Sequence, residues 1–99
     1  MANLLRGEVG LALGGRTLLL RPSFSALVAA ETEVGSLFRL LDRAAAGDVR
    51  LSDMGALFRH CGGVPDDGRA DFEAALLVAG PSELLGPYRA LLTAIFGRM

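Results

Sequence analysis

The sequence predicts an α+β fold, an N-terminal two-stranded antiparallel hairpin followed by a bundle of four to five short helices. Three observations predict it. The stretch "VGLALGGRTLLL" alternates on either side of a Gly-Gly pair, the composition of two short strands and a tight turn. Pro22-Ser23 ends that alternation, and beyond it apolar residues recur at helical spacing between Gly and Ser punctuation. The chain has 99 residues, 52% hydrophobic but only 6% aromatic, so Leu, Ala and Val must fill the core, as they do in packed helices. One domain over 1–99 is expected, with the hairpin at 5–21 and the helical part at 23–98.

Placing Gly14 and Gly15 at the centre of a primed turn sets the register, because both central positions need positive φ. Val9 then faces Leu20, Leu11 faces Leu18 and Leu13 faces Arg16, an aliphatic inner face. Glu8 faces Arg21, Gly10 faces Leu19 and Ala12 faces Thr17 on the other side. A lone hairpin leaves unpaired edges, and Leu19 adds a large apolar side chain to its outer face. Either the chain's own helices and termini cover this surface or a partner strand or subunit does, which makes Arg16, Thr17, Leu19 and Arg21 the candidate partner-binding residues.

Ser23 is placed to cap a helix ending at Gly35, with Phe24, Leu27, Val28 and Val34 on one stripe. Glu31 falls on the same stripe, either as a functional carboxylate in an apolar setting or as an acid reaching the rim or an Arg. Ser36 caps a second helix with Leu37, Leu40, Leu41, Ala44 and Ala45 inside, closed by Gly47, and Ser52 a third with Met54, Leu57, Phe58 and Cys61 inside. Arg39, Arg43 and Arg50 are interleaved with Asp42, Asp48 and Asp53, the pattern of a solvated charged face rather than a phosphate site.

"GGVPDDG" at 62–68 is a loop, and its Gly-Gly lacks the Lys and Ser/Thr of a phosphate-binding loop. A fourth helix enters near Asp67, carries Phe72, Ala75, Leu76 and Ala79 inward and closes at Gly80. The last segment has a broad apolar face of Leu84, Leu85, Tyr88, Leu91, Leu92, Ile95 and Phe96. Gly86-Pro87 is expected to split it into a turn at 82–85 and a longer helix from Pro87.

Chemistry is sparse. Ten basic and eleven acidic residues give a net charge of −1, no field for nucleic acid or an anionic membrane. All ten bases are Arg, which favours forked pairing with carboxylates, although a GC-rich genome gives the same usage. His60 and Cys61 are adjacent and so point about 100° apart on a helix, unable to converge on one metal or substrate. No nucleophile and base, split carboxylate pair or cofactor fingerprint emerges, so no catalytic, cofactor or metal residue and no enzyme activity is expected. The single cysteine, the lack of a signal-peptide pattern and apolar runs far below the roughly eighteen residues of a membrane span lead to an expected cytoplasmic location.

Taken together, "RGEV.L.LGG....LRPSF.AL...E...GSL..L..R...G...L.D...LF" resembles the tail assembly chaperone family of gene transfer agents and related prophages with long flexible tails, which is also labelled as a phage tail tube family. The resemblance runs from about Arg6 to Phe58 and is most specific in "LRPSFSAL" after the Gly-Gly hairpin. Its pattern falls on Gly7, Glu8, Gly14, Gly15, Arg21, Pro22, Phe24, Leu27, Glu31 and Gly35. It implies a strand pair followed by helices, a non-enzymatic assembly role in the bacterial host, and as partners the tape measure protein and tail tube subunits, with a homo-oligomer through the hairpin as a further option. A tail structural component and a small regulatory binding module are the alternative functions.

Overall fold

The computed structural model describes residues 7–97; residues 5 and 6 of the expected hairpin and residue 98 of the helical part lie outside them. Strands β1 (Val9–Leu13) and β2 (Arg16–Leu20) form an antiparallel pair, followed by α1 (Phe24–Val34), α2 (Leu37–Ala45), α3 (Leu51–Cys61), a 3-10 turn at Asp66–Gly68, α4 (Arg69–Ala79) and α5 (Pro81–Phe96). The α+β class and the order hairpin first, helices after, are as the sequence predicts.

The hairpin register is the predicted one, from Val9 opposite Leu20 to Leu13 opposite Arg16. Gly14 and Gly15 hold φ of 56° and 78°, a conformation that L side chains reach only with strain. Val9, Leu11 and Leu20 are buried on the inner face. The base of the hairpin is tied down by the Arg21 amide, which donates to the Cys61 carbonyl at 2.8 Å. Gly62 follows immediately, where any side chain would meet Leu18 Cδ2 at 2.7 Å and the Phe58 carbonyl at 2.8 Å.

Helix α3 is the axis of the molecule. Met54, Leu57, Phe58 and Cys61 are buried as expected, but so are Asp53, Gly55, Ala56 and Arg59. A helix covered on all sides needs small residues where neighbours approach, and Gly55 and Ala56 supply them. Phe58 meets Tyr88 of α5 edge to face, with ring centroids 6.1 Å apart.

Several expectations are corrected. The inner stripe of α1 is Ala26, Leu27, Ala30 and Val34, while Phe24 (84% exposed) and Val28 stand in solvent; a stripe centred on small alanines lets α1 lie close to α3. Ser23 does cap α1, accepting from the Ala26 amide at 3.2 Å. Ser36 makes no side-chain cap for α2; Glu31 takes that place, its Oε2 accepting from the Leu37 amide at 3.0 Å. Arg50, not Ser52, is the residue preceding α3. Ala45 is exposed rather than inside.

Helix α5 runs unbroken through Gly86-Pro87. Proline disfavours helical backbone in the preceding residue chiefly through a clash with its Cβ, and Gly86 has none. With one backbone bond forfeited in the helix interior, the apolar face from Leu84 to Leu92 holds the segment together.

Candidate interaction surface

The candidate hairpin residues do not share one face. Thr17, Leu19 and Arg21 project from the outer side, whereas Arg16, opposite Leu13, projects from the other side at the tip, as strand alternation requires. Arg16, Thr17 and Arg21 are exposed and Leu19 is half-buried. Leu19 lies across from Gly10 and Thr17 across from Ala12, so these side chains spread over small residues. Arg21 Nε donates to Glu8 Oε2 at 2.8 Å, with the guanidinium in solvent and the carboxylate buried.

The charged residues are more organised than a solvated face. Arg43 and Asp53 form an ion pair at 2.7 Å with both side chains largely out of water, while Asp48 and Arg50 pair at the surface. On the other side of α3, Glu33 of α1 gathers three partners. Arg59 Nη2 and Arg69 Nη2 donate to its Oε2, the latter at 3.5 Å, and His60 Nε2 lies 3.1 Å from its Oε1. Arg69 also pairs with Glu73 one turn along α4. The Arg59 hydrogen bond leads in holding the Glu33 carboxyl below its usual range, with His60 and Arg69 adding to it against the opposing effect of burial. These groups clamp α1, α3 and α4 together. They present no nucleophile beside a base.

Burial pushes the Cys61 thiol up to about 12, so it behaves as a small core hydrophobe. Among the described residues no group of His, Cys, Asp and Glu is placed to hold a metal ion, and no helix is long and apolar enough to cross a membrane.

Concave apolar surface lies elsewhere. A groove of about 620 Å³ runs between α2 and α5, walled by Leu41 and Ala44 on one side and Leu92 and Phe96 on the other, with Arg89 at its edge. Phe38 rises beside it, two-thirds exposed, with its ring tilted 59° against that of Phe96 and the centroids 5.0 Å apart. Arg89 also borders a second hollow of about 370 Å³ near Pro81, Leu85 and Leu51. Helix α4 exposes Leu77 and Val78 to solvent. Sequence reasoning missed these helical surfaces; the signal for α4 was there, since Leu77 and Val78 lie off the stripe of Phe72, Ala75, Leu76 and Ala79.

Neither the curated proteins nor the solved structures give a match to this chain. The family model described as "Phage tail tube protein, GTA-gp10" matches residues 6–98, well past Phe58, where the resemblance read from individual residues ends. A single hairpin, a bundle of short helices and that match over nearly the whole length converge: the chain belongs to the phage tail tube protein family GTA-gp10, with a role in phage tail structure or assembly.

Proposed function

We propose that the protein is a non-enzymatic chaperone of tail assembly, acting in the cytoplasm of the bacterial host, that binds the tape measure protein and tail tube subunits during morphogenesis. The observation that carries this reading is the size of the sheet: among the described residues it has two strands of five residues each, and the inner face of the pair is spent on the protein's own core. A tube wall needs strands that continue from subunit to subunit around a ring, and a hairpin this short offers little for that. Exposed apolar side chains on α1, α2 and α4 suit transient cover of another protein's apolar surface. The outer hairpin residues Thr17, Leu19 and Arg21, with Arg16 at the tip, are the proposed contact on the strand side.

A second reading, a structural component of the tail, is favoured by the family's own description as a tail tube protein. Co-expression separates the two. The tagged chain is produced with the longest helix-rich protein encoded beside it, and soluble yield and affinity capture are compared with the untagged control. Capture with a rise in soluble client supports the chaperone. An insoluble, uncaptured client together with the chain in finished particles assigns it to the tail itself.

A further inference from the structure

Helix α4 turns to solvent a face on which Ala70, Asp71, Ala74, Leu77 and Val78 follow one another at helical spacing, all five exposed. Val78 is 86% exposed, the highest value among the exposed large apolar side chains of the described residues. The two alanines keep the ridge low beside it, so that another helix can approach closely. The ridge's one acid, Asp71, makes no ion pair with a described residue.

The groove between α2 and α5 is the reverse in shape and charge. Leu41, Ala44, Leu92 and Phe96 line it, and among the described residues its only charged lining residue is Arg89, which makes no ion pair with a described residue. Some surface charges pair, as Asp48 with Arg50 and Arg69 with Glu73 do, whereas Asp71 and Arg89, like Asp42, Asp66, Asp67, Glu83, Arg16 and Arg39, make no ion pair with a described residue. An apolar ridge with an unanswered acid and an apolar groove with an unanswered base therefore sit on one chain.

We propose that the α4 ridge of one copy docks into the α2/α5 groove of a second copy, Val78 and Leu77 entering between Leu92 and Leu41 and Asp71 meeting the partner's Arg89. This is helix-in-groove recognition. Because ridge and groove are different patches, the contact is heterologous: each added copy leaves one ridge and one groove free, and growth runs head to tail into a ring or an open helix. The inference concerns copies of this chain alone, and it assigns to the copy-to-copy contact the α4 side chains Leu77 and Val78 that the chaperone reading offers to a client.

The test is light scattering and sedimentation of the full chain over a concentration series, with circular dichroism as the check on folding. Asp71, Val78 and Arg89 are all exposed, so substitutions there leave the core untouched. The wild type is expected to grow in mass with concentration. Asp71→Arg or Arg89→Asp alone should weaken association about tenfold or more through like-charge contact, and the double reversal should restore it. An equimolar mixture of Val78→Asp and Arg89→Asp should give a one-to-one complex that grows no further, because one variant keeps the groove and the other the ridge. A wild type that stays monomeric, or variants that assemble as it does, overturns the proposal. If the monomeric wild type captures the helix-rich client and Arg89→Asp does not, the groove belongs to a foreign helix and self-docking is again overturned.

Discussion

Arg43 on α2 grips Asp53 on α3 through two donors on one oxygen: Nε and Nη2 stand 3.2 and 2.7 Å from Oδ2. Asp53 is only 4% exposed. A carboxylate this far from water is tolerable because the guanidinium answers it, so the pair decides how α2 sits on the central helix more than it adds to stability outright.

Removing one side of that pair is therefore expected to cost more than removing both. Arg43→Ala leaves the Asp53 carboxylate buried and unanswered and should destabilise by about 3–5 kcal/mol. The double replacement Arg43→Met, Asp53→Leu should recover most of that loss. Urea denaturation of the two variants and the wild type checks the order, and equal losses would mean that water already reaches Asp53.

Glu33 makes a pH-dependent counterpart. Its carboxyl is held below its usual range, led by the Arg59 hydrogen bond, so the folded state binds a proton there less readily than the unfolded chain. The resulting stability is fully present above the unfolded carboxylate value and is lost as pH falls through the depressed folded one. Glu33→Gln should lower stability at neutral pH by about 3 kcal/mol, because Arg59 is buried and loses its charge partner. The variant should also flatten the acid limb of the stability profile. An acid limb identical to the wild type's would assign acid unfolding to other carboxylates.

Tyr88 is the only tyrosine of the chain and lies in the core against Phe58. Burial pushes its phenol up to about 12, with the charge of Asp53 adding to the effect and Arg43 opposing it. Ionisation is easier in the unfolded chain, so stability should hold up to the ordinary phenol value and fall as pH rises from there toward about 12. Phenolate absorbance in the near ultraviolet should appear together with loss of helical circular dichroism. Phenolate formed at the ordinary value while the helices persist would place the hydroxyl in contact with water.

How much of this was legible in the sequence depends on the range of the information. The hairpin register follows from two glycines and a period of two, both local, and each pairing from Val9–Leu20 to Leu13–Arg16 is as read. The boundaries of α1 follow from Ser23 and Gly35 in the same way, and the end of α4 from Gly80, whereas the entry expected near Asp67 is a 3-10 turn and α4 begins at Arg69. The side that each helix buries is set by its neighbours instead: Phe24 and Val28 look like core by hydropathy, yet the alanine side of α1 allows the closer approach to α3. Glu33, Arg59 and Arg69 are brought together from three helices by packing, and nothing in their spacing announces it. The α2/α5 groove was invisible for the same reason.

On the strand side, Leu19→Asp charges the outer hairpin face at a half-buried position, away from Val9, Leu11 and Leu20. Its effect on folding should be at most about 1 kcal/mol, whereas capture of the tape measure protein or a tube subunit should weaken. Intact circular dichroism with undiminished capture would remove the hairpin from the client contact and shift attention to the helical surfaces.

Gly86 and Pro87 should act as a unit. Pro87 cannot donate to the Glu83 carbonyl inside α5, so Pro87→Ala should stabilise by about 1 kcal/mol or more, the penalty of an interior proline less the rigidity it gives the unfolded chain. Gly86→Ala alone gains helix propensity but places a Cβ against the proline ring, so little net change is expected, even though the site has open space toward the rest of the protein. In the Pro87→Ala background the same change should contribute its full helical value, about 0.5–1 kcal/mol. A double-mutant cycle by thermal or urea denaturation measures the difference. Additive effects would show that Gly86 is not what lets α5 pass through the proline, and would leave the burial of Leu84, Tyr88 and Leu91 as the sole cause of its continuity.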